Sequence, residues 1–395
     1  MTKRSWLPLV LLAALLLTIA ACSSSDDDDD NDAADDDAAD DDDVADDDTG
    51  DDDDDDDDDD LSDDDDDDDS APHPYTPCCD VAAEALNLTD AGLPADGDGQ
   101  YQYVQQARTF IDAEREREID ADVFLPSLEG QTPTDQGGPF AVVLVVHGFS
   151  GTKSMVREYA QRLATWGYIA IAPQLPFTNP VALLKISHTE STKDLLFILN
   201  TICCEHEQSD SVFYGRVDRA RLGAVGHSMG GKLSINASLL DGALGAVAGL
   251  DPVDGAGPIP IGPDDPDFPD LTPDRVGALT IPTLYLGGEV SGTPVLGQAC
   301  APTEENYHEF FTYSPSPAVE VKFLGADHTD FVAQFPLDPC NIGTADHQRV
   351  KRLAKKYTVS FLNYYLRGWS RFAGEFAGSG IDADQTAGDV TWQQK

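Results

Sequence analysis

The stretch LGAVGHSMGG, residues 222–231, decides the fold of this 395-residue chain. An apolar run enters Gly226-His227-Ser228-Met229-Gly230, and a helical pattern follows. Glycines on both sides of the serine permit the tight, strained strand-to-helix turn called a nucleophile elbow, which lifts a serine hydroxyl above a sheet. Ser228 is therefore the candidate nucleophile. We expect His227 to flank this turn rather than to act as the base.

Apolar runs alternate with helical patterns around this turn. Near-continuous apolar strands separated by helices predict an α/β fold, with a mostly parallel sheet covered by helices on both faces. The alternating segment EREREIDADVFLPS, residues 114–127, predicts an antiparallel edge hairpin, and the Pro-, Gly- and Asp-rich residues 254–275 predict a long ordered loop near the active-site face. The predicted strands are Ala141–Val146, Ile169–Ala172, Leu222–Val225, Ala246–Leu250, Thr283–Leu286 and Val319–Leu324, and the predicted helices are Ser154–Trp166, Ser191–Cys203, Met229–Leu240 and Val350–Leu366.

A serine nucleophile that attacks an acyl group needs two N–H donors for the developing oxyanion. The residue after the nucleophile supplies one, here Met229. The second donor comes from a loop after an early strand, and AVVLVVHGFSGTKS, residues 141–154, has that form. We predict that Phe149 supplies this N–H, and that the side chains of Phe149 and Met229 border an apolar acyl pocket.

The general base is expected to be a histidine on a loop after the last strand. Of the eight histidines, His328 alone directly follows a convincing late strand, in VEVKFLGADHTDF. The acid that orients it is less obvious. Glu289 follows the strand in LYLGGEVSGTP, but the expected Asp two places on is Ser291. Asp251, which ends a strand and precedes a proline, and Asp254 in a turn-like segment are the other candidates.

The chain is strongly acidic, with a net charge of −50, and the charge is concentrated. Between residues 26 and 69, 33 residues are Asp, a composition that repels itself and cannot form a core. We interpret this segment as a disordered spacer. Without it and the N-terminal Lys3 and Arg4, the charge is about −19, which argues against a nucleic-acid partner.

The N-terminus has the pattern of an export signal: Lys3 and Arg4, then the apolar run WLPLVLLAALLLTIAA. Its end, Ile19-Ala20-Ala21-Cys22, resembles a bacterial lipobox, which implies cleavage before Cys22, lipidation of its thiol and anchorage in the bacterial cell envelope. We therefore divide the chain into a lipoprotein signal peptide (1–21), a lipidated, Asp-rich spacer (22–70) and a catalytic domain (71–395).

Six cysteines remain after Cys22, and in an exported protein an even number predicts disulfides. About 15 pairings are possible. We favour a Cys300–Cys340 bond and bonds between the doublets Cys78-Cys79 and Cys203-Cys204. No CxxC or HxxxH spacing accompanies these cysteines, so we predict no metal site.

The elbow, the HGF loop and the late histidine together resemble the α/β-hydrolase fold. Within it, HGF, IAPQLP, GHSMGGK, GLDPVDG, CAPTEENYHEFF and GADHTDF resemble the chlorophyllase family over roughly residues 120–370. That resemblance implies that the Asp of the DPV string, Asp251, is the acid. The string GFSGTKS, with Met229 after the serine, is also similar to cutinases and poly(ethylene terephthalate) hydrolases, in which the acid lies beyond the strand before Glu289.

These resemblances imply a cofactor-independent, monomeric carboxylic-ester hydrolase that uses Ser228, His328 and Asp251. Chlorophyll is one implied substrate, but plant chlorophyllases usually carry Arg where this chain has Met229, and this chain has an export signal. A small-molecule or polymeric ester, hydrolysed by a cutinase-like or lipase-like activity, is the alternative. Peptide or thioester hydrolysis on the same residues stays open, as does a non-enzymatic surface lipoprotein that binds ligands on a hydrolase fold.

Overall fold

The computed structural model describes residues 74–175, 187–255, 265–334 and 338–395, and its centre is a nine-stranded sheet. The strands are β1 (Gln102–Asp112), β2 (Arg117–Ser127), β3 (Phe140–Val146), β4 (Ile169–Pro173), β5 (Val217–His227), β6 (Leu244–Leu250), β7 (Thr283–Gly288), β8 (Ala318–Phe323) and β9 (Val390–Gln394). Their spatial order is β1-β2-β4-β3-β5-β6-β7-β8-β9. The six strands from β4 to β8 in that order are parallel, whereas β1, β2 and β9 pair antiparallel at the edges.

Helices cover both faces of the sheet, and each face has its own hydrophobic core. One core contains side chains of the helices at residues 188–205, 229–240 and 307–313, and the other contains side chains of the helices at 157–165, 347–367, 373–376 and 379–386. The mostly parallel α/β architecture predicted from the apolar runs is confirmed. The helices are α1 (Arg157–Thr165), α2 (His188–Glu205), α3 (Met229–Leu240), α4 (Tyr307–Tyr313), α5 (His347–Arg367), α6 (Ala373–Phe376) and α7 (Ser379–Thr386).

The predicted elements lie close to the observed ones, and α3 has the predicted bounds. Among the individually predicted strands and helices, the largest shift is in β5, which begins at Val217 rather than Leu222. The edge hairpin predicted at residues 114–127 is formed by β1 and β2, but β1 (Gln102–Asp112) lies before the predicted segment, which covers only β2 and the turn that precedes it. Edge strand β9 and the short helices after Arg367 were not predicted, because their sequences are short and mostly polar. The predicted signal segment, Cys22 and the Asp-rich spacer lie outside the described residues, as do residues 256–264 of the predicted loop.

Three disulfides join distant parts of the chain, and their pairing is the one favoured from the sequence. Cys78 bonds Cys204 and Cys79 bonds Cys203, so that two adjacent bridges fix the 3-10 turn at Pro77–Cys79 to the end of α2. Cys300 bonds Cys340, which connects the loop after β7 to the loop after β8. Within the described ranges, no helix is long and apolar enough to cross a membrane.

Candidate active site

The turn between β5 and α3 places Ser228 at the carboxyl edge of the parallel strands. Its backbone is strained, with φ 55° and ψ −125°, which costs about 1–3 kcal/mol for a residue with a side chain. A Cβ at Gly226 would lie 2.1 Å from the Gly230 carbonyl oxygen, and one at Gly230 would lie 2.4 Å from that of Val146. The turn therefore requires both glycines, as the sequence pattern indicates.

Strain is concentrated around this serine. Five non-glycine residues in the described part of the chain have positive φ. Three of them are Ser150 (54°), Ser228 (55°) and Asp251 (46°), which lie in the HGF loop, at the elbow and at the end of β6. Strained backbone of this kind persists where surrounding structure holds it, and it clusters at functional sites.

His328 lies on the loop after β8, and its ring contacts a carboxylate. Nδ1 of His328 is 2.7 Å from Oδ2 of Asp251, and both side chains are buried. An ionised carboxylate can only accept, so Nδ1 carries the proton and Nε2 is left with its lone pair. Asp251 is itself fixed, because its N–H donates to the Leu286 carbonyl and its Oδ1 accepts from the Gly288 N–H. Strand β7 thus sets the position of the Asp251 carboxylate.

The other two candidate acids are engaged elsewhere. The Glu289 carboxylate accepts the Gly325 N–H at 2.8 Å. Asp254 accepts N–H groups of Leu271 and Thr272 and forms a buried ion pair with Lys232 at 3.1 Å. Of Asp251, Glu289 and Asp254, the structure brings only Asp251 to His328.

His227, which precedes the candidate nucleophile, holds the loop that carries His328. Its Nε2 lies 2.8 Å from the His328 carbonyl oxygen, and the two rings have centroids 4.6 Å apart. Burial, with a smaller contribution from the nearby His328, lowers the pKa of His227 to about 3. A neutral His227 therefore donates its Nε2–H to that carbonyl. This hydrogen bond joins the elbow to the loop after β8 that carries His328, which we call the base loop. No pattern in the sequence predicts it.

The HGF loop lies directly against the elbow. A Cβ at Gly148 would come within 2.9 Å of Ser228 Cβ and 3.1 Å of His227 Nδ1, so only glycine allows this approach. The side chain of Phe149 is partly buried against the core on the α2–α3 face. Met229 is the first residue of α3, and the first N–H groups of a helix lack intrahelical acceptors and favour negative charge.

His147 determines how the Gly148–Phe149 peptide is oriented. Its Nε2 accepts the Leu175 N–H at 3.0 Å, so its proton is on Nδ1, which donates to the Gly148 carbonyl at 2.8 Å. Because the C=O and N–H of a trans peptide point in opposite directions, the Phe149 N–H points away from His147. His147 thus fixes the direction of the predicted second oxyanion donor.

We expect the variant His147→Ala to lower kcat about 10- to 100-fold with little change in KM. An oxyanion donor stabilises the transition state much more than the bound substrate, and a misdirected donor loses that stabilisation. Steady-state kinetics on a p-nitrophenyl ester measure this. His206, a histidine at the end of α2 whose ring accepts the Val217 N–H, is the control, and His206→Ala should leave kcat unchanged. An unaltered kcat in folded His147→Ala would refute the role.

Buried neutral histidines also predict acid sensitivity. Burial lowers the pKa of His147 to about 4 and that of His227 to about 3, below the ordinary value near 6.5 in an unfolded chain. The unfolded state therefore binds more protons between these values, so stability is full above pH 6.5 and is lost as the pH falls. As the pH falls from 7 to 4.5, protonation of each histidine in the unfolded state should lower the free energy of unfolding by about 2–3 kcal/mol.

Urea unfolding at several pH values tests this expectation. His147→Asn should reduce the slope of the free energy of unfolding against pH by about 1.4 kcal/mol per pH unit near pH 5, the value for one bound proton. His308, which is half exposed, provides the control His308→Gln. Equal pH dependence in the wild type and His147→Asn would show that His147 is not held neutral.

Comparison with known proteins bears on what this geometry does. The family model described as Chlorophyllase matches residues 116–375, about two thirds of the chain. The chain belongs to the chlorophyllase family. Its relatives include chlorophyllase-1, chloroplastic, from Citrus unshiu (26% identity, covering 60% of this chain and 71% of the relative) and chlorophyllase-2 from Arabidopsis thaliana (26%, covering 61% and 77%). Chlorophyllase-1 from Arabidopsis thaliana is 28% identical over 58% of this chain and 74% of its own length.

The match to the chlorophyllase family spans every residue of the candidate site, from Phe149 to His328. Membership supports hydrolysis of an ester bond as the class of reaction. Among the described residues, no group of three or more His, Cys, Asp or Glu side chains is arranged to hold a metal ion. The arrangement can supply a serine hydroxyl and an imidazole oriented by a carboxylate.

Proposed function

We propose that this chlorophyllase-family protein is a serine carboxylic-ester hydrolase in which Ser228 is the nucleophile, His328 the base and Asp251 the acid. The observation that carries the proposal is the 2.7 Å hydrogen bond between His328 Nδ1 and Asp251 Oδ2 at the edge of the sheet where the strained Ser228 lies. That bond fixes the tautomer in which Nε2 can accept a proton. The HGF loop against the same serine supports the oxyanion donors.

The reaction proceeds through an acyl-enzyme. Ser228 Oγ attacks the ester carbonyl carbon while His328 Nε2 accepts the hydroxyl proton, and the N–H groups of Phe149 and Met229 hold the oxyanion. His328 then returns the proton to the departing alcohol, and the C–O bond to that alcohol breaks. A water molecule, deprotonated by His328, attacks the acyl-enzyme. The carboxylic acid product leaves, and His328 returns the proton to Ser228 Oγ. Asp251 stabilises the imidazolium formed in each half-reaction.

The substrate class is a carboxylic ester with an apolar acyl group next to the serine. The two residues whose N–H groups are assigned to the oxyanion, Phe149 and Met229, both have apolar side chains, which favours an apolar acyl group beside them. The relatives are named for chlorophyll, and chlorophyll belongs among the substrates to test. Small and polymeric esters without a chlorin ring belong there as well, because the export signal and Met229 separate this chain from plant chlorophyllases.

Hydrolysis of p-nitrophenyl esters of increasing chain length by the full chain tests the proposal. We expect turnover and stoichiometric labelling of Ser228 by a fluorophosphonate, located by mass spectrometry. A parallel assay with chlorophyll and a polyester film then ranks the substrates. Neither turnover nor labelling in a folded protein would favour the surface-binding alternative.

We also propose that the protein is anchored in the bacterial cell envelope through a lipidated Cys22, with the Asp-rich segment as a spacer. The lipobox-like Ile19–Cys22 after a basic start and an apolar run supports this. Radiolabelled palmitate should be incorporated by cells expressing the full chain but not by cells expressing Cys22→Ser. Equal labelling of both would rule out lipidation at this cysteine.

A further inference from the structure

Asp327, which precedes the candidate base, is a fully buried carboxylate surrounded by hydrogen-bond donors. Its Oδ1 accepts the N–H of Thr329 at 2.8 Å and the Thr329 hydroxyl at 3.0 Å. Its Oδ2 accepts the N–H groups of Ile342 and Gly343 at 2.7 and 2.6 Å. Four donors to one carboxylate make a strong local anchor, because hydrogen bonds to an ionised acceptor are about twice as strong as neutral ones.

The hydrogen bonds of the Asp327 carboxylate hold the chain next to His328 at two points. One oxygen folds the chain just after His328, and the other binds the segment after Cys340 to the start of the base loop. The backbone N–H of Asp327 donates to Asp330 Oδ2 at 2.9 Å, which closes the turn around His328. In the part of the chain that the structure describes, no Lys or Arg pairs with Asp327, so backbone and hydroxyl donors alone hold its charge.

The segment bound by Asp327 is covalently fixed. Cys340 lies two residues before Ile342 and bonds Cys300 on the loop after β7. The Cys340 N–H also donates to Asp338 Oδ1 at 2.9 Å. The base loop is thus tied through Asp327 to a segment that the disulfide holds against another part of the fold.

We propose that Asp327 is a positioning residue for His328, acting through the 342–343 segment that the Cys300–Cys340 disulfide holds in place. This inference rests on the proposed function for its consequence in catalysis, whereas its structural part, the orientation of the His328 ring toward Asp251, stands independently. The four hydrogen bonds of the Asp327 carboxylate come from backbone N–H groups and the Thr329 hydroxyl, none of which is a proposed reacting group. It fixes the backbone from which the His328 ring extends, and displacement of a reacting group by about 1 Å can cost about 100-fold in rate.

The full chain offers a matched control in Asp241, another buried carboxylate that accepts several donors. Asp241 accepts N–H groups of Tyr75 and Thr76 and the Thr76 hydroxyl at 2.7–3.1 Å. It directly follows α3, whose first residue adjoins Ser228 and whose 12 residues span about 18 Å. Asp241→Asn should therefore resemble Asp327→Asn in stability while leaving the site intact.

The first measurement is the far-downfield proton resonance of the His328 Nδ1–H, assigned by its loss in His328→Gln and in Asp251→Asn. We expect Asp327→Asn and Asp327→Ala to shift or broaden this signal, and Asp241→Asn to leave it unchanged. The second measurement is ester turnover, where the Asp327 variants should lose about 10- to 100-fold in kcat with KM within about twofold. An unchanged signal and kcat in folded Asp327→Ala, or equal losses in Asp241→Asn, would overturn the proposal.

Two further variants keep the test decisive if Asp327→Ala does not fold. Gly343→Ala would place a Cβ 2.8 Å from Asp330 Oδ2 and 3.0 Å from Asp327 Oδ2, and should alter the His328 signal in the same direction. The double variant Cys300→Ser/Cys340→Ser should do so as well, whereas Cys78→Ser/Cys204→Ser should not. The resonance is read without turnover, so a wild type that shows the signal but hydrolyses no ester contradicts the proposed function and leaves the positioning role supported.

Discussion

The variant Ser228→Ala is expected to lose ester hydrolysis almost entirely, with kcat lower by about 10⁶-fold. Alanine cannot form the acyl-enzyme, and the remaining oxyanion donors and binding surface give only a small acceleration over water. The strained turn is compatible with alanine as it is with serine, because both carry one Cβ. Substrate binding should therefore persist, and kcat with a p-nitrophenyl ester is the quantity to measure, together with fluorophosphonate labelling.

Ser234 provides a control on the same helix. It is fully buried, and its hydroxyl donates to the Gly230 carbonyl at 2.8 Å. Ser234→Ala removes a buried hydroxyl without touching the proposed reacting atoms, so kcat should be unchanged. Turnover by Ser228→Ala within tenfold of the wild type would mean that another group is the nucleophile, and the proposed mechanism would then be wrong.

Much of the fold can be predicted because its central strands are apolar throughout. Every residue of β3 is buried, so its sequence FAVVLVV reads as a strand covered on both faces. Edge strands carry less information: β1 alternates exposed and half-buried residues, and β9 is five residues long with two exposed glutamines. Such strands form because a neighbour offers a free edge, which depends on tertiary structure rather than on local pattern.

The positions of Ser228, His328 and Asp251 follow from strand ends, since carboxyl ends of parallel strands meet at one edge of a sheet. The contacts around them do not. The residues that hold them depend on backbone groups elsewhere in the chain: His227 bonds a carbonyl 101 residues away, and Asp327 bonds amides 15 and 16 residues away. His147 acts on the adjacent Gly148 carbonyl, but the Leu175 N–H that sets its tautomer is 28 residues away. The only local signals are the HG pair after β3 and the Asp-His pair after β8, which are too short to predict a partner.

The variant Asp251→Asn should lower kcat by about 10⁴-fold, because an amide can donate to the imidazole and so favour the wrong tautomer. Asparagine keeps the size of the side chain, and its oxygen can still accept the Gly288 N–H that Asp251 Oδ1 accepts now. The loss should therefore appear in kcat with little change in unfolding free energy. Steady-state kinetics and urea unfolding of the same sample measure both.

The competing carboxylates make this prediction specific. The Glu289 carboxylate accepts the backbone N–H of Gly325 rather than contacting His328, so Glu289→Gln should reduce kcat far less than Asp251→Asn. Asp254→Asn should mainly lower stability, because it weakens a buried ion pair with Lys232, and breaking such a pair costs about 3–5 kcal/mol. If Glu289→Gln caused the larger loss in kcat, the acid would lie beyond β7, as in the cutinase-like pattern. The 2.7 Å contact of Asp251 with His328 would then be structural. A loss confined to Asp251→Asn would instead match the DPV string, in which the acid directly follows β6, the strand after the one that carries the nucleophile.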